Sequence, residues 1–286
     1  MLFIPLAALA IAVQAPATDI FVAELTLTPA AARVGTPRNV TRRPGYDNQP
    51  SFLPDGRSFL YTSIREDAQA DIYRYDPAAD SGARVTTTAE SEYSPTPLDG
   101  GAFAVVRVER DSTQRLWRFD ANGQVSLVLE RVKPVGYFAF GDEHTLGLFV
   151  LGRPASFQVA DTRRGTADTI VADIGRTIQK IPGKHAISFV RRVSETEWWI
   201  TAFDLDRRES TPLVRTLEGV DLYTWTPDGT LLAGRGTKLY RWSGGADWVE
   251  IADLAAAGLS SITRLAVSAR GDRLAIVALP TAGDSR

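Results

Sequence analysis

The sequence predicts an all-β fold: a six-bladed β-propeller of four-stranded antiparallel blades, with the last blade closed by the N-terminal strands. Three observations carry that expectation. A turn phrase recurs six times along the chain, a strand phrase recurs downstream of it, and the strands absent after the final turn stand at the beginning of the chain.

The turn phrase is clearest in Gln49-Pro50-Ser51-Phe52-Leu53-Pro54-Asp55-Gly56-Arg57-Ser58-Phe59-Leu60-Tyr61, which reads as a strand, a Pro-Asp-Gly turn and a second strand. Asp bonds its own backbone in such a turn, and Gly accepts the positive φ that the reversal requires. The phrase recurs at Thr96-Pro97-Leu98-Asp99-Gly100 and at Thr224-Trp225-Thr226-Pro227-Asp228-Gly229, with weaker copies from Ala139, Lys180 and Val267. Turns at Gly56, Gly100, Glu143, Gly183, Gly229 and Gly271 give steps of 44, 43, 40, 46 and 42 residues. A four-stranded propeller blade takes ~40–45 residues.

The second phrase is Asp71-Ile72-Tyr73-Arg74-Tyr75-Asp76, with counterparts at Leu116–Asp120, Phe157–Asp161, Ile200–Asp204 and Leu239–Ser243. Each alternates apolar with more polar residues and runs into a turn, the pattern of a third strand with one buried face. Fourth strands are expected at Ala83–Thr87, Val125–Leu129, Thr169–Val171, Pro212–Val214 and Trp248–Ile251. The sixth copy has no third or fourth strand after Leu279, but Asp19–Glu24 and Arg38–Thr41 match those two phrases. Joining them to the last copy closes the ring and removes the open edge of a linear array. The expected organisation is a signal segment over 1–15 and one propeller over 16–286. Its blades fall near 45–89, 90–131, 132–173, 174–216, 217–253, and 254–286 completed by 19–41.

Composition narrows the functional classes. A chain of 286 residues with 44% hydrophobic and 23% charged residues is ordinary for a soluble domain. A formal net charge of -2 gives no electrostatic case for a nucleic-acid partner. The absence of cysteine excludes disulfides, thiolate metal sites and cysteine nucleophiles. Leu2 to Val13 is an uncharged apolar run ending in Val13-Gln14-Ala15. It is shorter than the ~20 residues of a membrane-spanning helix and fits a signal peptide, so the expected location is periplasmic or secreted. No later stretch is apolar enough to span a membrane as a helix, and a monomer is expected.

The segment Tyr46-Asp47-Asn48-Gln49-Pro50-Ser51-Phe52-Leu53-Pro54-Asp55-Gly56-Arg57, followed by Asp71-Ile72-Tyr73, resembles the WD40-like repeat of the TolB propeller family. Glu92-Tyr93-Ser94-Pro95-Thr96-Pro97 is similar to the start of the next such repeat. The resemblance is strong in blades one, two and five and weaker in the other three. It implies a propeller that works by binding.

No constellation for catalysis stands out. Nucleophilic hydrolysis needs a serine with a histidine base and an orienting acid. The two histidines, His144 and His185, both fall in turns, and no G-x-S-x-G elbow is present. The recurring aspartates Asp55, Asp99, Asp142 and Asp228 belong to turn chemistry. Residues that begin each innermost strand rim the central channel of a propeller, which makes Asp47, Asn48, Glu92, Tyr93, Tyr137, Asp221 and Tyr223 the candidate binding residues. Aromatics with a few carboxylates at a concave mouth suit a protein or peptide partner, with no cofactor required. The alternative is a metal-dependent hydrolase or lyase that holds its ion with Asp47, Glu92 and Asp221. Trp198-Trp199 presents one indole to each face of its strand, and both are expected to pack between blades.

Overall fold

The computed structural model describes residues 15–28 and 31–280, so all of the expected signal segment except Ala15 lies outside the described residues. Six antiparallel sheets form a closed ring. The chain begins with β1 (Asp19–Leu27), β2 (Ala32–Val34) and β3 (Arg38–Asn39). Blade one follows as β4 (Tyr46–Phe52), β5 (Phe59–Ile64), β6 (Ala70–Asp76) and β7 (Ser81–Arg84). Blade two holds β8 (Ser91–Pro97), β9 (Phe103–Val108), β10 (Gln114–Phe119) and β11 (Val125–Leu127). Blade three holds β12 (Val135–Phe140), β13 (Thr145–Val150), β14 (Ser156–Asp161) and β15 (Thr166–Ala172). Blade four holds β16 (Ile174–Lys180), β17 (Ala186–Arg192), β18 (Trp198–Asp204) and β19 (Glu209–Arg215). Blade five holds β20 (Tyr223–Trp225), β21 (Leu231–Arg235), β22 (Lys238–Trp242) and β23 (Val249–Asp253). The last sheet is built from β24 (Leu259–Val267) and β25 (Arg273–Pro280), completed by β1 to β3.

Closure is a register of six consecutive pairs from Asp19↔Ala278 to Glu24↔Arg273. The fourth place in this blade is split. Ala32–Val34 pairs with the end of β1 and Arg38–Asn39 with its beginning, rather than one strand over Arg38–Thr41. Pro37 has no N–H to donate to the ladder, so the edge breaks there. In blade one the fourth strand lies at Ser81–Arg84, earlier than its expected position at Ala83–Thr87. Thr86 leaves the ladder because its hydroxyl, instead of its backbone, accepts the Ile72 N–H at 2.9 Å.

The turns fall where the repeat phrase places them, and Gly56 and Gly229 take φ of 68° and 85°, as the reversal requires. Each second strand is flanked by neighbours on both faces, which explains its continuous apolar run, as in FAVVRV of β9 and AISFVRR of β17. Outer strands such as β15 and β19 are mostly exposed and polar.

Burial is organised between blades, not within them. Leu60, Ile72, Val105 and Phe119 join blades one and two, and Val106, Leu116, Leu146 and Leu148 join two and three. Phe157 stacks on Phe189 at 4.5 Å to join three and four. Val190, Ile200, Tyr223 and Leu231 join four and five. Leu232, Leu239, Leu265 and Ile276 join five and six, and Ile20, Val277, Phe59 and Tyr75 join six and one. Every blade therefore depends on both neighbours for its core, and opening any one joint exposes apolar faces on two sheets. Trp198 and Trp199 are both half-buried. Trp198 lies under Arg192 at 4.4 Å, and the Trp199 indole N–H donates to Glu197 at 2.9 Å. No helix among the described residues is long and apolar enough to cross a membrane.

Candidate functional site: the axial channel

The six innermost strands surround an axial channel with two connected cavities of about 400 and 510 Å3. Tyr137, Arg176, Leu222, Arg264 and Leu265 line both and so mark a waist between them. The smaller cavity opens past Thr18, Tyr46, Asn48 and Asp221, and the larger runs down residues 49–52, 94–98, 137–140, 176–180, 222–225 and 264–267.

Five of these strands, β4, β8, β12, β16 and β24, carry a register shift at the channel wall, and in two of them a residue with positive φ sits in it. The register of β4 shifts between Asn48 and Ser51, and that of β8 between Tyr93 and Thr96. Gln49 and Ser94 sit in those bulges with φ of 58° and 54°, each directly before a proline. Such left-handed positions for a residue other than glycine persist only where surroundings fix them. Here the Gln49 side chain does so, because its carbonyl oxygen accepts from the Thr62 hydroxyl and from the Ser94 N–H, both at 2.8 Å, tying blade one to blade two. Gln179 repeats the device between blades four and five, donating to the Tyr223 carbonyl at 2.8 Å and accepting from the Trp225 N–H at 3.2 Å.

The candidate residues separate into two groups. Asn48, Tyr137 and Asp221 line the smaller cavity, and Tyr137 and Tyr223 the larger. Asp47, Glu92 and Tyr93 line neither. The Asp47 carboxyl is wholly buried against Arg43 at 3.0 Å, and one of its oxygens has no partner. Burial raises its pKa, against the opposing pull of Ser63 and Arg43. Glu92 is equally buried, 3.2 Å from Arg107, with the Thr88 hydroxyl donating to it, and burial raises its pKa too. Tyr93 packs against the core shared by blades two and three. Tyr223 turns its hydroxyl inward to Ser188 at 2.8 Å, and burial raises its pKa.

Asp221 differs because an arginine from the neighbouring blade holds it. Arg176 forks onto it with Nε at 3.1 Å and Nη2 at 2.9 Å, and the Arg176 N–H adds a third bond. Burial alone would raise the Asp221 pKa, but this fork outweighs it and holds the carboxyl below its ordinary range. The fork needs close approach between strands. A Cβ on Gly175 would lie 2.9 Å from the Asp221 Cβ, so glycine is required there. Asp47, Glu92 and Asp221 thus each face an arginine on separate blades, and no cluster of three histidine or acidic side chains suited to a metal occurs among the described residues.

Sequence reasoning missed Arg176, Arg264 and Lys180, the three cations that line the larger cavity. The signal was available in the repeat. Aligned on their turns, the copies place Gln49, Arg176, Leu222 and Arg264 in one column, seven residues before Gly56, Gly183, Gly229 and Gly271. It also missed that His185 bridges two blades, with one ring nitrogen 2.9 Å from Asp142 and the other 2.8 Å from Asp206.

No protein-family profile matches the sequence, and no curated protein sequence matches it. Solved structures do match. An Agrobacterium tumefaciens protein assigned as TolB superposes with a TM-score of 0.70 at 14% identity, covering 91% of this chain and 98% of that one. TolB from Acinetobacter baumannii gives 0.59 at 14% identity over 92% of this chain, which spans 64% of that longer protein. A gluconolactonase from Xanthomonas campestris gives 0.66 at 12% identity, covering 94% and 99%. At these identities the likeness is one of architecture: the chain has the six-bladed propeller fold of the TolB proteins.

Proposed function

We propose that this chain is an exported propeller scaffold that receives a segment of a protein or peptide partner at the mouth of its axial channel, without catalysing a reaction. The observation that carries this reading is the channel itself. Its two cavities share the wall formed by Tyr137, Arg176, Leu222, Arg264 and Leu265, and together they run from Asn48 and Asp221 to a stretch lined by Phe140 and Trp225. Its wall is fixed by the Gln49 and Gln179 bridges and therefore preorganised, which lowers the entropic cost of binding. The acids with which a hydrolase or lyase would hold a metal are each committed to an arginine. The apolar segment before Ala15 supports export.

Affinity capture from periplasmic extract tests the reading, using the intact protein beside a Leu222→Trp variant whose waist is filled. A reproducible partner retained by the intact protein and lost by the variant is the expected result. Capture of nothing reproducible, or metal-dependent turnover of a lactone by the purified protein, overturns it. The lactone assay is chosen because the Xanthomonas campestris gluconolactonase shares the architecture.

A further inference from the structure

The protein carries a formal charge of -2, yet the residues lining its two cavities include three cations, Arg176, Lys180 and Arg264, and one acid, Asp221. Their commitments differ. Arg176 is matched by Asp221, which also lies 3.7 Å from Arg192. The Lys180 ammonium donates to the Gly141 carbonyl. Arg264 has no carboxylate within ion-pair distance among the described residues. Among the described residues its one hydrogen-bonding partner is the Tyr137 hydroxyl at 3.5 Å, the outer limit of such a bond, and its buried Nε has none.

A half-buried guanidinium in that condition is costly, because nitrogen removed from water keeps its demand for an acceptor. Among the described residues the surroundings offer it one weak acceptor, the Tyr137 hydroxyl, because the Asp221 carboxylate in the same cavity is taken by Arg176. The Tyr137 ring lies 5.3 Å from the Arg264 guanidinium, and the Tyr46 hydroxyl lines the same cavity. Burial raises the Tyr46 pKa, so that phenol remains a neutral donor. The walls of a narrow channel also focus the potential of an uncompensated charge.

We infer that Arg264 is the receptor for a carboxylate carried on an extended acidic peptide segment threaded into the channel, with the Tyr137 and Tyr46 hydroxyls as auxiliary donors. This rests on the channel-binding reading above and specifies the charge of what is bound. Arg176 shows the geometry at the same waist, because its fork already holds the Asp221 carboxylate through two parallel bonds. The planar fork of a second guanidinium at this waist, Arg264, suits the two oxygens of a carboxylate in the same way. Below the waist the larger cavity alternates aromatic Phe52, Phe140 and Trp225 with the amides and hydroxyls of Gln49, Gln179 and Thr224. Such a wall suits the flanking residues of a peptide.

The test uses two labelled octapeptides, alternating Ser-Glu and alternating Ser-Gln, with binding read by fluorescence anisotropy at low salt. The intact protein should bind the Glu peptide about tenfold tighter or more, and added salt should weaken that preference. Arg264→Met should bind both peptides with the affinity the intact protein shows for the Gln peptide, while Arg264→Lys should keep most of the preference. Matching thermal melts confirm that both variants fold. Equal affinity of the intact protein for the two peptides overturns this inference, and if the capture experiment still returns a channel-dependent partner, the channel-binding reading survives it. A preference that persists in Arg264→Met, or no measurable binding of the Glu peptide, also overturns it. So does Arg264-dependent binding of trigalacturonate in place of the Glu peptide, which would assign the channel to an acidic saccharide.

Discussion

Ile20 lies directly opposite Val277 in an antiparallel pair, so the ring is held shut by residues from the two ends of the chain. Neither side chain has any exposure, and both belong to the core that joins the last blade to the first. Deleting residues 19–41 should therefore abolish the cooperative fold rather than trim a tail, seen as loss of the sigmoidal thermal transition by circular dichroism. The milder Ile20→Ala should cost about 2–5 kcal/mol in urea unfolding, the range for truncating a fully buried aliphatic side chain. A deletion mutant that melts like the intact protein would contradict the closure.

Ser188 is a buried acceptor for two donors at once, the Tyr223 hydroxyl and the Trp225 indole N–H, each at 2.8 Å. Ser188→Ala leaves both without a partner at the joint of blades four and five. The expected loss is about 2–4 kcal/mol, with a change in tryptophan emission because Trp225 changes its surroundings. A loss below about 0.5 kcal/mol would show that the two donors find other acceptors.

Glu92 and Arg107 form a buried pair that is asymmetric to mutation. Arg107→Met leaves a buried carboxyl facing a thioether and should destabilise the protein by about 3–5 kcal/mol, and adding Glu92→Gln should recover part of that loss. The pH dependence follows from burial, which already raises the Glu92 pKa above 4.5. A carboxyl with a raised folded-state pKa favours folding at low pH, and that contribution is lost as pH rises. In Arg107→Met the shift is larger, so its stability should improve on lowering pH from neutrality toward 4.5. Denaturant midpoints across that range check the sign.

These buried pairs mark the boundary of what the sequence made legible. The blade count, the six turns and the borrowed strands were readable because each is a local pattern: a period, an Asp-Gly reversal, an alternation of apolar residues. Asp47 and Glu92 were placed at the start of inner strands correctly, but their orientation depends on Arg43 and Arg107, which no local pattern pairs with them. Arg264 was passed over because its importance comes from what fails to face it, a property of the assembled ring alone. The split edge at Pro37 was legible in principle, because a proline cannot continue the ladder.

His185 joins blades three and four through Asp142 and Asp206, and Asp204 adds to the negative field at that turn. Both carboxylates raise the His185 pKa above 6.5. At Asp142 burial pulls upward, but the His185 bond and the His144 and Thr145 N–H groups outweigh it and depress its pKa well below 3.8. The histidine contribution is complete below 6.5 and lost as pH rises through its raised folded-state value, whereas the Asp142 contribution is lost as pH falls below 3.8. His185→Gln should therefore lower stability at pH 5–6 by at most about 1 kcal/mol, as for other exposed ion pairs, and have no effect at pH 9. Melting curves at the two pH values measure the difference.

The channel reading is tested most directly by site-specific photo-crosslinking in the native cell, with benzoylphenylalanine at the partly exposed Thr263 in the smaller cavity or at Val249 on the exposed edge of blade five. Thr263 should crosslink to one reproducible partner segment, and Val249 should give no such product. A partner that attaches from Val249 but never from Thr263 would place binding on the outer rim and contradict the account.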